Sequence, residues 1–406
     1  MTITDTIDAD TTTKQPTSAR GRPVLDQAML DQFREWAAVD DRNNEFFHDT
    51  HARLVEIGHY TCNLPTEVGG GGLDLLETGR RQRLLARYAP APALATCMHL
   101  YWTGAAADLH RMGESGLEHV LARAADGEIF ASGHAEAGND LPLMLSTTTA
   151  EPVPGGWRIT GRKHFGSLGP IWDHLGFHAM DTSDPDGPKI VHGFAARPEV
   201  GVTVVPNWDT IAMRASQSHD TVFESVFVPD EHVAAVVPAG TLDAPSVGAA
   251  FVWADSLINN VYIGIAERAV ELAVASLRQR RSIGLDGRTL AHNPMLQHQV
   301  AEMWIDLESV RGYVDNLARD WVDGVDHGAE WDLKTTVARQ RTNEMTRRVV
   351  DTAMDVAGGS SVRSTAELSR LLRDSRAGAY PPPADAFAHE IVAKGVLGID
   401  PDGPRW

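Results

Sequence analysis

Along this chain the spacing of apolar residues switches twice, and the switches set the architecture. From about residue 25 to 125, stretches such as DQAMLDQFREWAAV, FFHDTHARLVEIG and LDLLETGRRQRLLARYA place apolar side chains three and four apart, the period of an amphipathic helix. From about 128 to 235 the period becomes two. EIFAS, GWRITGRKHFG, HLGFHAM, KIVHGFAA, VGVTVV and DTVFESVFV are short, rich in Val, Ile and Phe, and parted by turn residues such as Pro154-Gly155-Gly156. With no helices between them, these runs predict an antiparallel sheet rather than βαβ units. After about 245 the helical period returns: Ile258, Val261, Ile265, Ala269 and Leu272 form one stripe, and Val300, Met303, Leu307, Val310, Val314 and Leu317 another. Further helical stretches cover about 332–356, 364–378 and 385–397. The expected fold is α+β: a polar tail at 1–22, a helical domain at 23–127, an antiparallel β-domain at 128–240 and a four-helix bundle at 241–406. Between the first helices, PTEVGGGG (Pro65 to Gly72) marks a loop where the backbone bends sharply or approaches a neighbour closely.

Charge narrows the function. Lys plus Arg number 36 and Asp plus Glu 55, a formal charge of −19. So acidic a chain repels phosphate backbones and anionic membranes, which argues against nucleic-acid and membrane-surface partners. No apolar run reaches the ~20 residues of a membrane span. The start, MTITDTIDADTTTKQ, lacks the basic and apolar regions of a secretory signal. The two cysteines, Cys62 and Cys97, make neither a disulfide framework nor a metal site and read as small buried hydrophobes. A cytoplasmic location is expected.

Five segments carry chemistry. GEIFASGHAEAGND (Gly127 to Asp140) is a glycine-rich turn after a strand. GWRITGRKHFGSLG (Gly156 to Gly169) is a strand ending in an aromatic and a hydroxyl. MRASQSHDTVFESVFVP (Met213 to Pro229), RQRRSIG (Arg278 to Gly284), and VAGGSS with LSRLLRDSR (Val356 to Ser361, Leu368 to Arg376) complete the set. In this order and spacing they resemble the acyl-CoA dehydrogenase superfamily of flavoproteins, including its two-component flavin-dependent monooxygenases, over about residues 25 to 400.

The resemblance implies a flavin, FAD or FMN, with a small-molecule substrate. It also implies a homotetramer, because the family completes the flavin site across a subunit contact. Ser132 and Gly133 fall in the flavin loop. Alternation along a strand puts Lys163, Phe165 and Ser167 on one face and His164 and Gly166 on the other. Phe165 would stack on the flavin and Ser167 would bond a ring nitrogen. The same pattern also suits a half-buried strand. Arg280 and the Gly358-Gly359 turn would hold the pyrophosphate. They also suit a cation at a helix end and a helix C-cap.

The chain departs from the dehydrogenases where proton abstraction needs a carboxylate. In most relatives that carboxylate lies a few residues after the Arg-Asp pair, and the matching position here is Pro382. The alternative position at the start of the first bundle helix, aligned on Gly264, is Ala254. Asp255 is adjacent, and a one-residue step of 100° predicts that it points elsewhere. Asp355 replaces the glutamine that precedes the Gly-Gly turn. The monooxygenase branch needs no such base: it takes reduced flavin from a separate reductase and activates oxygen on it. That branch often carries a histidine shortly after its Arg-Asp, where this chain has Arg376 and Pro381.

Candidate acid–base groups are His99 and His134, with His389 in the last helix. All three also suit structural roles. Trp253 and Tyr262 suit either a pocket or the core. The expectation is a flavin-dependent oxidoreductase of a small organic substrate. Oxygen activation is favoured, desaturation of an acyl thioester with a relocated base is the alternative, and a non-catalytic binding member of the fold is the third reading.

Overall fold

The computed structural model describes residues 25–139, 141–328, 330–381 and 385–399. The tail at 1–22, Asp140 and Pro382 lie outside the described residues. Five helices come first: α1 (Gln27–Asn43), α2 (His48–Glu56), α3 (Leu75–Tyr88), α4 (Pro90–Met112) and α5 (Glu118–Ala125). Local chemistry sets their starts. The Asp26 carboxylate accepts from the Met29 amide, and Asp74 and Glu77 form a capping box at α3. In the four-glycine loop, a Cβ on Gly70 would meet the Leu64 carbonyl oxygen at 2.1 Å and one on Gly71 the Cys62 oxygen at 2.5 Å. The loop therefore needs glycine for packing, as its sequence suggests. Both thiols are buried and free.

Eight strands follow: β1 (Phe130–Gly133), β2 (Thr149–Val153), β3 (Gly156–Gly166), β4 (His174–Asp181), β5 (Lys189–Ala196), β6 (Val202–Val205), β7 (His219–Pro229) and β8 (Val233–Pro238). They form one sheet in the order β6-β7-β3-β2-β4-β5-β8, with β1 added beside β4. Every candidate strand is present. β2 and β8 are additional; β2 has a proline and three exposed positions in five residues and carries little periodic signal. The sheet is antiparallel except at β4, which pairs parallel with β1 over four residues and with β2 at Thr149–Met180.

The second helical set is α6 (Pro245–Gln279), α7 (Pro294–Val322), α8 (Glu330–Ala357), α9 (Glu367–Arg376) and α10 (Asp385–Leu397). α6 is the axis of the molecule, packed against α3, α4, α7 and α8. It is long and apolar enough by composition to cross a membrane, but 72% of that stretch is buried inside the fold. Two glycines permit the closest crossing: a Cβ on Gly264 would meet the Arg83 carbonyl oxygen at 2.4 Å, and one on Gly79 the Asn260 amide at 2.6 Å. Trp253 belongs to this core. It is fully buried and donates to Asp108, which also accepts from Trp321, at 2.6 and 2.7 Å.

Candidate active site

A cavity of about 250 Å³ opens where the end of β3, the loop after β1, α4 and α6 converge. One face of α4 supplies Leu94, Met98, Tyr101 and Trp102, at helical spacing. α6 supplies Val247, Phe251, Ala254, Asp255, Ile258 and Tyr262. Most of this surface is apolar, so the polar atoms that do reach it matter.

The first group comes from the end of β3, and here simple alternation fails. Lys163 and Phe165 do not share an environment: Lys163 is 1% exposed and Phe165 55%. The register with β7 shifts between Lys163 and Gly166, and Phe165 sits at φ 60°, in the left-handed region. That bulge turns Phe165 and His164 both toward the cavity while Lys163 stays beneath. A large non-glycine residue held at positive φ is strained, and such strain concentrates at functional sites. Leu168 repeats it at φ 63°, so Ser167 lies between two strained residues.

Lys163 staples the loop after β1 to the sheet. Its Nζ lies 2.5 Å from Glu136 Oε1 and 2.5 Å from the His178 carbonyl oxygen. Glu136 also accepts from the Ser146 and Thr148 hydroxyls, at 2.7 and 2.6 Å, and from two backbone amides. Burial pushes this carboxyl up, but His178, Lys163 and the hydroxyl donors outweigh it and hold it far below the usual range. With Glu136 fixed, Ser132, His134 and Ala135 form the cavity wall. His134 Nδ1 is 3.2 Å from His178 Nδ1. Burial, and then the neighbouring His178 and Lys163, keep His134 neutral far below its ordinary value. His192 stacks behind His178, and its buried Nε2 has no hydrogen-bond partner.

The second polar group is a chain of serines. Ser167 Oγ lies 2.7 Å from Ser218 Oγ, which lies 2.8 Å from Ser216 Oγ, and all three line the cavity. Three hydroxyls joined by two bonds have one proton left to donate outward. The Arg-Asp pair of α9 holds this loop in place. Asp374 accepts from the Met213 amide at 2.7 Å, and Arg373 bonds the Ile211 carbonyl at 2.8 Å and Asp41 of α1 at 3.0 Å. Met213 sits at φ 51°.

The third group is on α6. Asp255 is 5% exposed and lines the cavity beside Ala254, and its Oδ2 has no hydrogen-bond partner. The expectation that it points elsewhere is corrected: the cavity-facing stripe of α6 is wide enough for positions 254 and 255 to flank it. Tyr262, two turns on, also lines the cavity with its hydroxyl unpartnered.

Other expected residues fall elsewhere. His99 lies in the core of the helical domain. The Phe130 N–H donates to its Nδ1 at 3.1 Å, so Nε2 carries the proton and donates to the Tyr60 carbonyl at 2.9 Å. Burial pushes it down to about 4. With both nitrogens committed to backbone and no place in the cavity wall, His99 has a structural role rather than a catalytic one. Gly133 is behind the wall, where a Cβ would meet Leu175 at 2.9 Å. Arg280 and the Gly-Gly turn do come together: Arg280 Nη1 donates to the Ala357 carbonyl at 2.5 Å, and Gly358 at φ 75° leaves room for its guanidinium. They do not line this cavity. His389 is exposed on α10. Ser216, Ser218 and His192 are polar cavity residues that sequence reasoning did not single out, and Asp255 is one that it turned away from the site. The serines stand inside a quoted motif, but only the loop's tertiary path aims them.

The cavity suits a flavin ring: Phe165 offers a half-exposed flat wall, and the serine chain offers an outward donor beside it. Residues 257–397 match the family profile of the acyl-CoA dehydrogenase C-terminal domain. YdbM of Bacillus subtilis, assigned by name to the acyl-CoA dehydrogenases, is 27% identical over 90% of this chain and 94% of its own. L-Evernosamine nitrososynthase of a Micromonospora species is 26% identical over 96% of this chain and 93% of its own. The structure of KijD3 in complex with FMN and dTDP-3-amino-2,3,6-trideoxy-4-keto-3-methyl-D-glucose superposes with a TM-score of 0.82 at 27% identity, covering 93% of both chains.

Proposed function

We propose that this chain, a member in sequence and fold of the acyl-CoA dehydrogenase superfamily and a flavin-dependent oxidoreductase, uses reduced flavin and oxygen to oxidise the nitrogen of a small amine. The observation that carries this reading is Ala254 in the cavity wall: the resemblance implies a carboxylate base at that helix position in some relatives, and here it is an alanine. An amine needs no carbon-bound proton removed. The names of the nitrososynthase and of the FMN and amino-sugar complex support amine nitrogen as the reacting atom. The balance is one amine, one O2 and one two-electron-reduced flavin giving one hydroxylamine, one water and one oxidised flavin.

Reduced flavin, when bound, supplies the electrons and the place where oxygen is activated. The chain's residues do the rest. Phe165 gives the ring a wall, and Ser167, accepting from Ser218, which accepts from Ser216, donates its own hydroxyl proton toward a ring nitrogen. The apolar faces of α4 and α6 exclude water, which strengthens each polar contact inside. Arg280 with Gly358-Gly359 completes the phosphate end for a neighbouring protomer of a homotetramer, and a separate reductase supplies the reduced flavin.

The test is turnover of a panel of primary amines and amino sugars with FMN, NADH and a general flavin reductase under ¹⁸O2. One labelled oxygen per hydroxylamine formed is expected. A second reading rests on Asp255, a carboxyl in the wall that could serve acyl-thioester desaturation. If no amine takes up label and an acyl-CoA bleaches bound flavin without oxygen, that second reading replaces the first.

A further inference from the structure

Asp255 offsets the charge of the buried Arg339 of α8, yet no hydrogen bond satisfies its Oδ2. Its neighbours on α6 explain the cavity's shape, yet a buried carboxyl with a bare oxygen is costly unless something pairs with it. Its Oδ2 has no partner. Arg339, whose charge acts on Asp255, donates instead to the Gly378 carbonyl at 3.0 Å and does not line the cavity. On its far side Asp255 borders a second void of about 20 Å³, lined also by Ser256, Asn259 and Thr335. A space of that size holds one water. The carboxyl thus borders both the main cavity and this small, mostly apolar-lined void.

We infer that Asp255 is the amine-recognition residue of this cavity, pairing with the ammonium group of the substrate and accepting one of its protons. The inference rests on the amine reading above and names the residue that serves it. An amine is protonated near neutral pH and its nitrogen lone pair is then occupied. Transfer of one proton from R–NH3⁺ to the carboxylate gives R–NH2 and a neutral Asp255, with no change in total charge. Burial pushes Asp255 up to about 7, against the pull of Arg339, so the group can both pair and accept near neutral pH. The other titratable groups facing the room are Tyr262 on α6, Tyr101 on α4, Tyr380 after α9, and His134, His164 and His192 on the sheet side.

The experiment is isothermal titration of the flavin-free protein with n-butylammonium, n-butanol and n-butyrate, in wild type and Asp255→Asn, from pH 5.5 to 8.5. Wild type is expected to bind butylammonium at least about tenfold more tightly than butanol at pH 8. That preference should fall as pH drops through about 7 and vanish in Asp255→Asn. Equal affinity for amine and alcohol in wild type, a preference retained in the variant, or tighter binding of butyrate would each overturn the inference. Should the variant fail to fold, the wild-type pH slope still decides: an amine preference unchanged down to pH 5.5 would overturn it. The two proposals separate cleanly. Asp255-dependent amine binding without ¹⁸O uptake removes N-oxidation and leaves the subsite, whereas ¹⁸O uptake with no Asp255-dependent binding removes the subsite alone.

Discussion

Lys163 shows how a single residue fixes a site it does not enter. It is 1% exposed, and its ammonium holds the Glu136 carboxylate, which in turn holds the loop bearing His134 beyond Ser132 at the end of β1. Removing one member of a buried pair leaves the other charge unpaired, which costs far more than the pair's net worth. Lys163→Met should lower unfolding free energy by about 3 kcal/mol in urea titration. It should also weaken flavin binding, because the cavity wall loosens. A variant with wild-type stability and flavin affinity would show that the hydroxyl donors around Glu136 suffice. Phe165 makes the opposite point: its backbone is strained so that its ring can face outward.

At the scale of elements, the serine loop is held from outside the sheet. Met213 donates its buried amide to Asp374 of α9, and Arg373 ties the same helix to Asp41 of α1. The Arg-Asp pair is therefore a strut from the C-terminal bundle to the wall of the cavity. Asp374→Ala leaves the Met213 N–H without an acceptor, at about 1–3 kcal/mol. Flavin affinity should fall with it, and Asp374→Asn, which keeps an acceptor oxygen, should restore most of the loss. Thermal melts and flavin titration of the two variants check this. If alanine and asparagine behave alike, the bond is not what positions the serines.

For the whole molecule, the balance of buried histidines predicts acid lability. Burial lowers His99 and His178 to about 4 and His119 and His192 to about 3, and lowers His51, His59, His134, His219 and His232 as well. These groups stay neutral in the fold while the unfolded chain takes up protons near pH 6.5, so stability falls as pH drops from about 6.5 toward 4. Carboxyls act in reverse. Asp40 and Asp255 are raised to about 7 and Asp374 to about 6, with Glu77, Glu267 and Asp332 raised too. The fold keeps their protons where the unfolded chain has lost them. That contribution favours the fold at low pH and is lost as pH rises through about 4 to 7. The histidines outnumber them, so the midpoint of thermal unfolding should drop between pH 6.5 and 4.5. A midpoint that is flat or higher at pH 4.5, measured by scanning calorimetry, would refute that accounting.

The order of elements was legible because hydrophobic period is a local property: helices and strands announce themselves by which side chains recur. Ser132, Phe165 and Ser167 were legible as a group because the motifs bearing them lie close to elements that the sequence also reveals. What the chain order could not convey was direction. The bulge after Lys163, the path of the Met213–Ser218 loop and the width of the α6 stripe depend on neighbours distant in sequence. Those contacts turned His164 and Asp255 into the cavity and committed His99 to the backbone. Periodicity reports which side of an element is buried; only packing decides whether that side meets core or an open room.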